Sequence, residues 1–183
     1  MLTSLPAQEK SSMKTKIATE TKQPRKSTRK LKKVIAVRHG EYNRGTMDLN
    51  DEGRAQMHKL AEKLVQLVGK TKKIALLTSS HLRAVQSAEI IGSRLEIGLI
   101  KCDSLRKDEY YHYGDEVTQE LENQSHGSDI LIVVTHFEAP SAILNAFSGK
   151  HFGREVECFE AEKGNGGMLC LKTGEVVLDL FDP

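Results

Sequence analysis

The chain has 183 residues, 38% hydrophobic and 28% charged, a size and balance suited to one ordinary domain with a real core. No run of about 18 apolar residues occurs, so no membrane-spanning helix is expected, and the opening MLTSLPAQEK lacks the basic-then-apolar layout of a secretory signal. Three widely spaced cysteines, Cys102, Cys158 and Cys170, show neither disulfide nor metal-ligand spacing, which predicts a reducing, cytoplasmic setting.

The net charge of +2 conceals a division. Residues 1–33 hold ten Lys/Arg and two acids, a net of +8, so the remainder carries −6. Residues 1–32 are rich in Lys, Ser, Thr and Gln and have few large apolar groups, which predicts a disordered basic arm ahead of a domain over 33–183. A solubilising tail, or a start site placed upstream of Met13, is the plain reading of the arm. Contact with an acidic partner or, less favoured, a nucleic acid is the sharper one, and a cleaved organelle-targeting leader a third. Neither a membrane nor a nucleic acid is the expected partner.

The periodicity then changes along the chain. VIAV (34–37) reads as a strand buried on both faces. Asn50 is positioned to cap a helix in which Met57, Leu60, Ala61, Leu64 and Leu67 recur at helical spacing, with Gly69 as its stop. IALLTS (74–79) reads as a second buried strand. Residues 81–95 read as a helix with Leu82, Val85, Ala88 and Ile91 or Leu95 inward. LIKCD (99–103) suits a short strand, 104–114 a polar loop, and 115–124 a weak helix. DILIVVTH (129–136) is the strongest strand, followed by a helix over about 139–147. The end of the chain reads as hairpins: EVECFEAE, a turn at KGNGG, MLCLK, a turn at TG, and EVVLDLF. This alternation predicts an α/β three-layer sandwich around a mostly parallel sheet.

Ligands of such sheets bind beyond the carboxyl ends of the strands. The first strand ends at Arg38-His39-Gly40, the second leads to Arg83, and the fourth ends at His136. Taken singly, each has an ordinary reading as a solvated or satisfied side chain. Together, two guanidiniums and two imidazoles at one edge point to an oxyanion, most simply phosphate, since arginine's planar donor fork matches its oxygens. Gly40 would let the backbone approach the ligand and offer its N–H. No metal and no cofactor is expected: arginines flank the histidines, and no carboxylate stands at ligand spacing. A neutral histidine beside a phosphoryl group can attack it, and water can then hydrolyse the phosphohistidine.

VIAVRHGEYNRG, LNDEGRAQ, LLTSSHLRAVQSAEII and ILIVVTH resemble the histidine phosphatase superfamily, the phosphoglycerate-mutase-like group, over roughly residues 33–181. The resemblance implies a phosphoglycerate-mutase-like fold with His39 as phospho-accepting nucleophile. Arg38, Arg83 and His136 would form the phosphate pocket, His136 also stabilising the transition state, and either Asn43 or Arg44 would be a further polar pocket residue. Many members carry a glutamate in an L-x-E pattern as general acid, where this chain has Lys107; Asp108 or Glu109 is the substitute to consider. Only 52 residues separate Arg83 from His136, which predicts a small or absent lid. YGDEV and THFEAP are similar to the small phosphohistidine-phosphatase, SixA-like branch, where that acid is missing. The substrate implied is a phosphorylated protein, with a small phosphate ester as the rival. A mutase, which must shield its phosphoenzyme from water, fits less well. A catalytically inactive phosphate-recognition or scaffolding module is the reading from another class.

The remaining signals have simpler explanations. GNGG (164–167) lacks the spacing of a dinucleotide fingerprint and reads as a turn. Tyr110, Tyr111 and Tyr113 are candidates for the pocket rim. His58, His81, His112, His126 and His151 read as surface residues, with His81 and His112 near the site, and Lys72 and Lys73 as solvated cations.

Overall fold

A computed structural model describes residues 31–71, 73–106 and 114–181. The basic arm through residue 30, Lys72, and the loop with Lys107, Asp108, Glu109, Tyr110, Tyr111, His112 and Tyr113 lie outside the described residues.

Among the described residues, eleven elements follow one another: β1 (Lys33–Arg38), α1 (Asp51–Val68), β2 (Ile74–Thr78), α2 (Leu82–Leu95), β3 (Leu99–Lys101), a 3₁₀ turn (Asp103–Arg106), α3 (Asp115–Gln124), β4 (Ile130–Thr135), α4 (Ala139–Phe152), β5 (Gly166–Cys170) and β6 (Val176–Val177). The strands form one sheet in the order β3-β2-β4-β1-β5-β6. The first four are parallel, while β5 runs antiparallel to β1 and β6 antiparallel to β5. The sheet is therefore mixed and mostly parallel, as expected.

Residues alternate across β1 because successive side chains of a strand point to opposite faces. Ile35 and Val37 pack with Met57, Leu60 and Leu64 of α1 and Ala84, Ala88 and Ile91 of α2. Val34 and Ala36 pack with Leu121 of α3 and Ile143, Leu144 and Phe147 of α4. Two cores thus sandwich the sheet between helix pairs, giving three layers. Among the described residues, no helix is long and apolar enough to cross a membrane.

The start of α1 follows its sequence signals. The Asn50 side chain accepts from the Gly53 amide at 2.8 Å, and the helix stops at Gly69, whose φ of 63° suits a residue without Cβ. Elsewhere tertiary contacts override local pattern. Leu82, expected to face inward, is 47% exposed, and the buried face of α2 instead carries Arg83 and Ser87 with its apolar residues. Helix α4 continues past Phe147 to Phe152, where Lys150 and His151 both reach Glu122 of α3.

EVECFEAE is not a strand. It runs alongside α4, whose side chains replace strand partners: Val156 N–H donates to Asn145 Oδ1 at 2.9 Å and Phe159 N–H to Ser141 Oγ at 3.1 Å. EVVLDLF pairs only at Val176–Val177, after which Leu180 N–H is taken by Gly166 O and Asn165 Oδ1. These routes bring Ala161, Lys163 and Asn165 back to the end of β1.

Candidate active site

Parallel register decides which groups meet. Arg38 lies opposite Thr135, and Thr78 opposite Val134. Just past the strand ends, His39 N–H donates to Thr135 O at 3.0 Å and Ser79 N–H to Val134 O at 3.1 Å. The ladder thus extends one residue beyond the strands and sets His39, Ser79 and His136 at one edge. Helix α2 begins there and brings Arg83 in its first turn.

His39 is buried, 3% exposed. Its Nδ1 lies 2.7 Å from Gly40 O, an acceptor that requires the proton on Nδ1. Nε2 then carries the lone pair, and Arg83 Nε donates to it at 3.0 Å. Burial is the main cause that lowers the ring's pKa to about 3; the Gly40 carbonyl opposes this, and His136, Arg83 and Arg38 add to it. The imidazole is neutral at physiological pH with Nε2 as its basic atom, the state a nucleophile needs.

The other cations surround it. Arg83 Nη2 lies 3.3 Å from His136 Nδ1, and its guanidinium carbon lies 4.8 Å from the centre of the Tyr42 ring. His136 Nε2 lies 2.9 Å from Ser79 Oγ, and its ring centre is 5.3 Å from that of His39. Arg38 donates through Nη1 to Ala161 O at 3.0 Å and lies 4.5 Å from the Phe137 ring centre. Its Nε is buried and makes no hydrogen bond among the described residues. Burial lowers the Arg38 pKa, but a guanidinium of this kind stays charged.

The structure thus brings Arg38, His39, Arg83 and His136 together. It departs from expectation at three positions. Gly40 does not offer a free N–H, because that amide donates to Ser87 Oγ at 3.2 Å. A Cβ on Gly40 would stand 2.5 Å from Gly53 O, and one on Gly53 1.9 Å from Glu41 O. The approach of α1 leaves no room for a Cβ at Gly40, and the glycines of RHG and NDEG interlock. Asn43 holds its own exposed loop through Asp48, with Nδ2 3.2 Å from Oδ1, and Arg44 is exposed. Neither makes a described hydrogen bond to the four central side chains.

Several residues at the site carried no strong sequence signal. Tyr42 meets His39 edge to face, with ring centres 5.3 Å apart. Ser87, one helical turn after Arg83, links the Gly40 amide to the Arg83 carbonyl, a spacing that could have drawn notice. Lys163 reaches Glu41 at 2.6 Å from a segment 122 residues away, and that hydrogen bond is the main cause holding the Glu41 carboxyl below its ordinary pKa. His81 is more closely involved than a surface residue: its ring stands perpendicular to His136, 4.9 Å between centres.

The fold is a phosphoglycerate-mutase-like α/β fold. Residues 34–114, which include Arg38, His39 and Arg83, match the sequence model of the histidine phosphatase superfamily (branch 1). The matched stretch is under half of the chain, and solved structures are similar to the chain in fold. A SixA protein of Agrobacterium tumefaciens has the same fold, with a TM-score of 0.58 at 15% identity, over 81% of this chain and 96% of its own. The protein histidine phosphatase SixA, solved with tungstate, gives 0.53 at 18% identity over 80% and 93%. A mycobacterial glucosyl-3-phosphoglycerate phosphatase gives 0.52 at 15% identity over 81% and 97%. No curated protein sequence matches the chain.

Proposed function

We propose that the chain is a phosphatase that works through a covalent phosphohistidine on His39, and that its substrate is phosphohistidine carried on a protein in the cytoplasm. The observation that carries the chemistry is the hydrogen bond between His39 Nδ1 and the Gly40 carbonyl, which assigns the tautomer. A Gly40 carbonyl at 2.7 Å holds the Nδ1 proton, and burial keeps the ring neutral. Nε2 is therefore the atom that attacks phosphorus.

A bound phosphoryl group displaces the Arg83 Nε contact from Nε2 and takes the guanidinium onto its own oxygens. Arg38, with a buried donor at Nε, and His136, oriented by Ser79, are the further groups proposed to hold the developing charge. In the first step the Nε2–P bond forms as the bond to the leaving group breaks. In the second, water attacks phosphorus, Nε2 leaves, and phosphate departs.

The substrate reading rests on the leaving group. Lys107 stands at the spacing of an L-x-E acid. Glu41, next to the nucleophile, is paired with Lys163 and held ionised, so it is a poor proton donor. An imidazole leaving from phosphohistidine is readily protonated and asks less of a carboxylic acid than an alkoxide does.

The test is phosphate release from a phosphohistidine protein and from small phosphate esters, by wild type and His39→Ala. The reading predicts a higher kcat/KM on the protein substrate and loss of both activities in the variant. Faster turnover of the small esters would transfer the assignment to a phosphomonoesterase. Undiminished turnover in His39→Ala would reject the nucleophile, and no release from any substrate would leave only a recognition module.

A further inference from the structure

We propose that Phe137 is a positioning residue for Arg38: the face of its ring fixes the plane of a guanidinium that receives the phosphoryl group. This rests on the phosphatase reading above. Phe137 follows His136 at the exit of β4 and is 40% exposed. A single exposed apolar side chain is ordinary on a protein surface. This one lies against a functional cation, with the Arg38 guanidinium carbon 4.5 Å from the ring centre. That is within the reach of a cation–π contact, which draws a guanidinium onto a ring face.

The register of the sheet makes the contact. Arg38 lies opposite Thr135 in the parallel pair of β1 and β4, and Phe137 comes two residues later. One strand exit thus serves both arginines: His136 Nδ1 lies 3.3 Å from Arg83 Nη2, while Phe137 meets Arg38. The second support of Arg38 is the Ala161 carbonyl, 3.0 Å from Nη1. Ala161 lies in the segment whose Phe159 amide donates to Ser141 of α4, and Phe137 stands just before that helix. Both supports are therefore tied to the first turn of α4.

A ring suits this place chemically. A carboxylate would also orient Arg38, but it would occupy the donor fork and offset the charge that an anion needs. A ring face and a carbonyl are both uncharged. They hold the guanidinium plane and leave its charge to the anion. The Arg38 Nε, buried and without a hydrogen bond among the described residues, is a donor not yet spent. The neighbouring carboxylate of Glu41 is engaged by Lys163 instead. Arg83 has a comparable neighbour in the Tyr42 ring, whose centre is 4.8 Å from its guanidinium carbon.

The test is a double-mutant cycle read as affinity for tungstate, an analogue of phosphate, in wild type, Phe137→Leu, Arg38→Ala and the double variant. Leucine keeps an apolar side chain and removes the ring face. Phe137→Leu is expected to weaken binding about fivefold when Arg38 is present and less than about twofold when it is already replaced. A merely structural role would not depend on Arg38 in this way. Phe137→Tyr, which brings back a ring, should recover most of the loss. Arg38→Gln serves as a second background if the alanine variant unfolds. Equal losses in both backgrounds, no loss in either, or no recovery with tyrosine overturns the assignment of Phe137 while leaving the His39 reading intact. Wild type that neither binds tungstate nor releases phosphate from any substrate rejects the phosphatase reading and the positioning residue with it.

Discussion

Arg83 Nε and His39 Nε2 are hydrogen-bonded at 3.0 Å, so the atom proposed to accept phosphorus is covered by the cation proposed to bind its oxygens. The guanidinium has one planar set of donors to share between the imidazole and an incoming anion. Replacing it with lysine keeps a charge and loses the fork. Arg83→Lys is expected to lower kcat/KM about a hundredfold and to weaken inhibition by tungstate. Wild-type inhibition constants in the variant would contradict the proposed division of labour.

Burial, the chief cause of the low His39 pKa, also makes folding sensitive to acid. An unfolded histidine takes up a proton near pH 6.5, whereas folded His39 does so only near 3. Between these values the unfolded chain binds more protons, so stability is full above about pH 6.5 and falls as the pH drops, by at most about 1.4 kcal/mol per unit from this group. Below about pH 3 the loss is complete. Urea denaturation of wild type and His39→Gln at about pH 7 and about pH 4.5 measures it. The variant should lose less stability on acidification; equal losses would mean the ring titrates normally.

Ser87 tests how tightly the RHG turn is held to α2. Its hydroxyl accepts from the Gly40 amide at 3.2 Å and donates to Arg83 O at 2.7 Å. Ser87→Ala strands a buried N–H and is expected to cost about 1–3 kcal/mol. Thermal denaturation gives the shift, and a Tm unchanged from wild type would show that the link contributes nothing.

Gly53 is expected to tolerate no Cβ. The 1.9 Å separation from Glu41 O lies far inside contact distance, and the obstacle is backbone rather than a movable side chain. Gly53→Ala should cost about 1–3 kcal/mol and reduce turnover as the RHG turn is displaced. A variant with wild-type stability and kcat would contradict the interlock.

Much of this was legible in the sequence where local chemistry and burial agree. VIAV and ILIVVT are short apolar runs buried on both faces, and Asn50 and Gly69 bound α1 through cap geometry that depends only on neighbours. The strand exits carrying His39 and His136, and the helix bearing Arg83, could be placed at one edge because a parallel sheet fixes its own direction. Contacts that depend on distant chain were not legible. EVECFEAE has the alternation of a strand, yet Asn145 and Ser141 of α4 take its amides, and its Ala161 carbonyl ends beside Arg38. The Glu41–Lys163 pair joins two turns whose meeting no local pattern encodes. The sequence suggests a ligand approach at Gly40, whereas the close approach of the Gly53 backbone, which leaves no room for a Cβ there, depends on distant chain.

The most direct measurement is capture of the covalent intermediate. Wild type mixed with a phosphoryl donor, quenched in alkali and digested under conditions that spare phosphoramidates should yield a peptide phosphorylated at His39, with a label lost on acid treatment. Rapid phosphate release with no label on the protein, or with the label on another residue, would contradict the account.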